Sequence, residues 1–439
     1  MIRFYLTLFL TFAFSLPLRA GDVDIQEVTS PGGINAWLVE ERSIPFTALE
    51  IIFKGGRSLD PADKRGAVNL MTGLIEEGAG DMDAQAFAAA RDALAASFSF
   101  DSSRDEFSVS ARFLTENRDE AIALLREALI NPRFDQSAID RVRAQVLTGI
   151  RSDALDPNEV AGRTFSELAF DESHPYGQDT DGTEESVTAL TRDDIVKAHR
   201  DALVQDRLFV GATGDISAEE LGALLDTLLG DLPQSGPPLP GDAAVQLTGG
   251  VTVIEFDTPQ SVAVFGHSGI DRDDPDFFPA FVANQIFGSF GRQSRLSEEV
   301  REKRGLTYSV GSYIANFENA DLILGQFASA NDRIAEAIDV IKDEWARVAE
   351  NGVTAIELEE AKTYMTGSYP LRFDGNARIA GILVAMQAQG LGPEYINERN
   401  DKVNAVTLED IKRVVKRIYR PDDLRFVVVG KPDGLEPVN

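Results

Sequence analysis

The chain repeats itself, and the repeat limits what it can fold into. Thr191-Arg192-Asp193-Asp194-Ile195 opens a helical stretch that runs into the apolar segment Leu208-Phe209-Val210-Gly211. The same order recurs in Thr407-Leu408-Glu409-Asp410-Ile411, followed by Leu424-Arg425-Phe426-Val427-Val428-Val429-Gly430. Upstream, Val146-Leu147-Thr148-Gly149 matches Tyr364-Met365-Thr366-Gly367. Between the copies, Leu232-Pro233-Gln234-Ser235-Gly236-Pro237-Pro238-Leu239-Pro240-Gly241 has linker chemistry. The expectation is a leader over residues 1–20, a first domain over 21–229, a linker over 230–250 and a second domain over 251–439. Alternating segments such as Phe98 to Asp101 and Glu106 to Phe113, set beside helical patterns, predict an α+β fold. Each of the two homologous domains is then a mainly antiparallel sheet packed with helices.

Residues 1–20 read as a secretory signal: Arg3, an apolar run from Phe4 to Leu18, then Ala20 before Gly21. That predicts a periplasmic protein, with no membrane contact once the leader is cleaved. The formal charge is -30, and losing Arg3 and Arg19 takes it to -32. A surface this acidic repels phosphate backbones, so no nucleic-acid partner is expected. The chain has no cysteine, which excludes disulfides, thiolate zinc and a cysteine nucleophile.

The most informative stretch is Gly291 to Tyr308. Ser294 is placed to cap a helix, Leu296 and Val300 share one face, and Gly305 supplies a left-handed stop. Thr307 to Val310 then reads as a strand. The turn brings Arg301 and Tyr308 together, and a guanidinium beside a phenol offers two donors for a peptide carbonyl and the oxyanion formed from it. The competing reading is a solvated charged helix followed by an ordinary strand tyrosine.

Arg301-Glu302-Lys303-Arg304-Gly305-Leu306-Thr307-Tyr308-Ser309-Val310 resembles the Arg/Tyr motif of the insulinase-like (pitrilysin, M16) zinc peptidases. Asp257-Thr258-Pro259-Gln260, the turn Asn284 to Gly291, His174-Pro175-Tyr176-Gly177 and Gly182-Thr183 fit the family in its order. The resemblance covers essentially the whole chain after the leader. It implies a chamber-forming peptidase fold, with Arg301 and Tyr308 as catalytic donors and Gly288 and Gly291 in a turn lining the substrate groove. The sequence departs from the family at the zinc motif. Where active members carry His-x-x-Glu-His, this chain has Asn69, Thr72 and Gly73, and the distant glutamate falls near Thr148 or Gly149.

No substitute metal site is evident. The three histidines, His174, His199 and His267, lack helical pair spacing and read as structural. Glu76 and Glu77 read as a solvated helix end, and Asp81 and Asp83 lack the ligand ladder of a calcium loop. No Gly-x-Ser-x-Gly elbow or phosphate loop is present. The resemblance therefore implies a subunit that binds no cofactor itself. Its partner would be a zinc-bearing homologue in a heterodimer that cleaves a peptide substrate. Two alternatives stand beside it: an inactive periplasmic peptide-binding or scaffold protein with the peptidase fold, and an autonomous hydrolase with an unrecognised site.

Overall fold

The computed structural model describes residues 23–290 and 294–435; residues 1–20, read above as a leader, and Gly291 lie outside the described residues. Two sheets carry the architecture. The first orders its strands as Gln26–Thr29, Asn35–Glu40, Leu208–Gly214, Phe46–Lys54, Glu106–Leu114 and Ser97–Ser102. The second runs Gly250–Glu255, Arg425–Gly430, Gln260–Ser268, Asp321–Ala330 and Val310–Asn316. Apart from the extra outer strand Gln26–Thr29, the orders are the same. In each sheet the last strand in sequence lies parallel to the first of the shared set, and the other pairings of that set are antiparallel. The two α+β domains are thus copies in topology.

The parallel pairs add to the mainly antiparallel pattern, because the closing strand is inserted beside the opening one. The helices follow the same duplication: Arg118–Ile130 answers Ile334–Asn351, Gln136–Asp153 answers Ala355–Ser368, and Arg192–Ala202 answers Leu408–Ile418. Thr191 and Thr407 each form a capping box with the Asp three residues on, so the matching sequence signals start matching helices.

One face of each sheet packs on its own domain's helices. The opposite faces are covered reciprocally. Pro157–Ala169, from the first half, lays Ala161, Phe165 and Ala169 against Val262, Leu322, Leu324, Val427 and Val429 of the second sheet. Asn376–Ala388, from the second half, packs on the first sheet, with Leu383 and Met386 beside Trp37 and Val384 and Ala388 beside Ile52. The sequence reading did not identify Asn376–Ala388 as an element. It is apolar on most sides, so it lacks the stripe that marks a surface helix.

The helix approaches closely because position 211 is glycine. A β-carbon on Gly211 would lie 2.4 Å from the Ala380 carbonyl oxygen. Backbone cannot yield there as a flexible side chain would. Gly211→Val is therefore expected to lower stability by about 1–3 kcal/mol in urea unfolding, through loosened docking of Asn376–Ala388 with the first sheet intact.

Candidate functional site

The two domains diverge at the connection between a helix and the edge strand. In the first domain Ala84–Ala93 leads to Ser97–Ser102 through a short turn. In the second, Ser297–Glu302 leads to Val310–Asn316 through the longer stretch 303–309. Ser297–Glu302 is a π turn, not the α-helix expected: the Lys303 N–H donates to the Glu298 carbonyl at 2.9 Å. Such wide turns are uncommon and concentrate at functional positions. Ser294 does cap the turn, its hydroxyl accepting from the Ser297 N–H at 3.3 Å. Gly305, at φ +60°, stops it in the left-handed conformation.

The strand begins at Val310, so Thr307, Tyr308 and Ser309 form its approach and not its first residues. Side-chain bonds to the neighbouring strand hold that approach in place. The Thr307 hydroxyl donates to the Ala328 carbonyl at 2.7 Å, and the Ser329 hydroxyl donates to the Leu306 carbonyl at 2.5 Å. The Ser309 N–H folds back on the Thr307 hydroxyl at 3.2 Å. Tyr308 is the apex of this small turn and is 88% exposed. It borders a cleft of about 650 Å³, with Val264, Gln326 and Ala328 on the sheet side and Asn158 of the first domain opposite.

The charged run sorts itself around Arg301. Lys303 and Arg304 both turn back to Glu299, at 2.6 and 2.7 Å, and their hydrogen bonds hold its carboxyl below the usual range. Among the described residues, the carboxylate nearest Arg301 is Glu302 at 3.6 Å, beyond hydrogen-bond length. The Arg301 guanidinium sits 5.4 Å from the centre of the Tyr308 ring, within cation–π range. The two side chains singled out from the sequence are thus adjacent at a cleft mouth, with their donors available. Gly288 has a different environment. It is buried, and a β-carbon there would meet the Ser312 hydroxyl at 1.8 Å, so its requirement is close packing of Phe277–Gly288 on the edge strand.

Of the degenerate zinc positions, Asn69 and Thr72 lie on a short helix, Ala67–Thr72, and Gly73 caps its end. Its N-terminus is capped from a distance: Asp60 accepts from the Gly66 and Val68 N–H groups at 3.0 and 3.1 Å. Burial pushes that carboxyl up to about 7 against these bonds. Asn69 donates to the Asp181 carbonyl at 3.5 Å, and the Thr72 hydroxyl to the Val68 carbonyl at 2.7 Å. A β-carbon on Gly73 would stand 2.9 Å from a Val142 methyl. Thr148 and Gly149 are exposed, and the Thr148 hydroxyl is spent on the Ala144 carbonyl. An amide, a back-bonded hydroxyl and a glycine do not fit zinc, which takes imidazole, thiolate or carboxylate. No group of three or more metal-binding side chains occurs among the described residues.

Glu76, Glu77, Asp83 and the three histidines are occupied. Glu76 pairs with Arg91 at 2.7 Å and Glu77 with Arg141 at 2.8 Å, so the expected solvated turn is an ion-paired one. Asp83 caps Ala84–Ala93. His174 accepts from the Tyr176 N–H and bonds Gly241, and His199 bonds the Leu129 carbonyl. His267 is buried, with Nε2 accepting from the Trp345 indole at 3.1 Å and Nδ1 facing the Ser268 carbonyl at 2.8 Å. Tyr176 joins the domains, its hydroxyl donating to Asp105 at 2.7 Å and accepting from the Asn319 N–H at 3.1 Å.

Two family models match the chain. Insulinase (Peptidase family M16) matches residues 37–174, and Peptidase M16 inactive domain matches residues 189–365. The non-peptidase homolog YmxG of Helicobacter pylori is 26% identical over 98% of this chain and 99% of its own length. An uncharacterized zinc protease of Streptomyces coelicolor is also 26% identical, over 90% of this chain and 87% of its own. Among solved structures, a peptidase M16 inactive domain from Pseudomonas fluorescens superposes with a TM-score of 0.87 at 27% identity, covering 95% of this chain and all of that one.

Two outcomes follow from this geometry. Rebuilding the motif as Asn69→His, Thr72→Glu and Gly73→His is expected to leave the purified chain without stoichiometric zinc by elemental analysis. The histidine at 73 meets Val142, and no third carboxylate ligand stands at 148 or 149. The second outcome concerns His267, whose burial lowers its pKa from 6.5 to about 4. The unfolded chain binds that proton more readily, so its contribution is present above pH 6.5 and is lost as pH falls toward 4. The stability advantage over His267→Gln, measured by urea unfolding, should shrink by about 3 kcal/mol across that window.

Proposed function

The chain belongs to the M16 (insulinase-like) peptidase family without that family's zinc ligands, and on that premise we propose that it is the non-zinc subunit of a heterodimeric peptidase. The observation that carries this reading is Arg301 lying 5.4 Å from the ring of an 88% exposed Tyr308 at a cleft mouth. A chain with no use for reacting carbonyls has no need to hold this pair out on a braced turn. The zinc, the activated water and the general-base glutamate belong to a motif-bearing M16 partner. This chain's share is to grip the peptide and to donate from the Arg301 guanidinium and the Tyr308 hydroxyl to the carbonyl oxygen as it becomes an oxyanion. Both donors are preorganised: the approach to Tyr308 is pinned by Thr307 and Ser329, and the neighbouring cations are tied to Glu299. Such donors act most strongly where charge develops.

The leader-like residues 1–20 support placing the pair in the periplasm, with no membrane contact after cleavage. The second reading is a periplasmic peptide-binding or scaffold protein that keeps the chamber without chemistry. It is favoured by the degenerate helix at Asn69, Thr72 and Gly73, and by a relative whose name is non-peptidase homolog.

Co-purification from the native source, followed by peptidase assay with and without a chelator, separates these readings. The isolated chain is expected to be inert and to bind no metal, and the assembled pair to be chelator-sensitive. In the pair, Arg301→Ala or Tyr308→Phe should lower kcat by at least an order of magnitude, since one oxyanion donor contributes about 3–4 kcal/mol in other enzymes. Assembly, followed by size-exclusion chromatography, should be unaffected. Unchanged steady-state rates in both variants would sink the catalytic role, and chelator-sensitive cleavage by the chain alone would sink the divided-labour reading.

A further inference from the structure

The two halves also meet turn against turn. Ser103 to Asp105 joins Ser97–Ser102 to Glu106–Leu114 in the first sheet, and Phe317 to Ala320 joins Val310–Asn316 to Asp321–Ala330 in the second. Lys54, at the end of Phe46–Lys54, stands opposite Glu106 in the pairing of those strands. Opposite charges placed so are natural cross-strand partners. Lys54 nevertheless reaches across the seam, and its Nζ pairs with Glu318 of the second half at 2.8 Å. No ion pair engages Glu106 among the described residues.

Glu106 has no way to retreat. Its turn is clamped to the chain after Lys54: the Gly55, Arg57 and Ser58 N–H groups donate to the Asp105, Ser103 and Arg104 carbonyls at 2.6, 3.0 and 2.9 Å. A β-carbon on Gly56 would lie 2.4 Å from the Glu106 nitrogen. The charges around it come from several elements: Asp105 and Arg104 from the turn, Lys54 from the next strand, Glu318 from the opposing turn, and Asp242 from the linker on the wall of the same cleft of about 1200 Å³. Arg104 is stacked 4.7 Å over Tyr176 and 5.6 Å over Phe317. Arg272, also on that wall, donates to the Tyr395 hydroxyl at 2.7 Å. Two carboxylates, one from each half, therefore compete for a single lysine.

Burial, and then the charges of Asp105 and Glu318, raise the Glu106 carboxyl above its ordinary 4.5, against the pull of Lys54. Burial raises Asp105 as well, against the hydrogen bond from Tyr176. The native state thus holds these protons more tightly than the unfolded chain. Their contribution to stability is present in acid, below the ordinary values, and is lost as pH rises through the raised ones.

We propose that Lys54 is a proton-controlled tie between the halves: while Glu106 is neutral it holds Glu318, and once Glu106 is ionised it is drawn back toward its own sheet and the seam loosens. What loosens is the turn at Glu318 and Asn319, and with it the linker, since the Ala243 N–H donates to the Asn319 carbonyl at 2.7 Å. The Tyr176 hydroxyl, 3.1 Å from the Asn319 nitrogen, remains as a second tie, so the change is a local opening and not a parting of the domains. The span of the adjoining cleft then follows pH. This behaviour is independent of the catalytic reading above.

Hydrogen exchange on the isolated full chain, followed by mass spectrometry and normalised to intrinsic amide rates at each pH, reads the seam. Between about pH 5 and about pH 7.5 the peptide covering 317–320 is expected to exchange faster by about threefold or more, the size a part-exposed ion pair supports. A peptide inside Gln260–Ser268 should not change. Glu106→Gln, which keeps the shape and cannot ionise, is expected to hold the slow acid rate at the higher pH. Glu318→Gln, which leaves Lys54 no charge to hold across the seam, should be fast at both. Circular dichroism and thermal melting confirm that both variants are folded, and Lys54→Met provides a second route to the open seam. An unchanged 317–320 rate across the pH range in the natural chain overturns the proposal. So does a rise that persists in Glu106→Gln, which places the proton on another group.

Discussion

The structure depends on each half lending one helix to the other half's sheet. A sheet with one face on its own helices still has a second apolar face, and in this chain that face is covered across the duplication. Phe165 and Ala161 cover the second sheet, and Leu383 and Val384 cover the first. Neither domain is complete alone, so their relative placement is part of the core and not a matter of linker length. The tie formed by Tyr176, Asp105 and Asn319 adds direction to this packing, because a buried phenol with both donor and acceptor satisfied tolerates little sliding. The Lys54–Glu318 pair at the same junction is partly exposed and adds less.

Reciprocal cover also explains why one sheet face remains open. Pro157–Ala169 is thirteen residues long and lies over the strands Gln260–Ser268 and Arg425–Gly430. On the outer strand only Ala315, near its end, joins the core under this helix, and Tyr313 and the approach to Tyr308 stay exposed. The open strip of sheet is thus a consequence of how far the borrowed helix extends.

Much of this was legible in the sequence. The capping threonines at 191 and 407 and the apolar strands after them located the duplication, and the alternation of Glu106 to Phe113 located a strand. Two features were not legible, for physical reasons. Asn376–Ala388 is buried on several sides, so it has no polar face and no periodicity to read. The helix carrying Asn69 is shorter than its apolar pattern, because Leu74 and Ile75 are buried in a turn that leads to Gly78. At the site, the adjacency of Arg301 and Tyr308 followed from the spacing and Gly305. The burial of Gly288 under Ser312 did not, since a glycine needed for a turn and one needed for packing look alike in sequence. Phe290 and Tyr313 carried no local signal; only the third dimension places their rings 6.3 Å apart.

The π turn accounts for the remaining asymmetry between the copies. In an α-helical turn, successive side chains advance by about 100°; the wider turn at Ser297–Glu302 delays that rotation while still burying Val300. Lys303 and Arg304 then fall on the Glu299 side, and Arg301 is left facing the segment that follows Gly305. The first domain, with an ordinary helix at Ala84–Ala93 and a short connection, has no room for such a segment. The same duplication therefore yields a plain hairpin support in one half and a projecting pair of donors in the other. The difference lies in the local winding of one turn and the few residues after it, held by the Thr307 and Ser329 hydroxyls against the neighbouring strand.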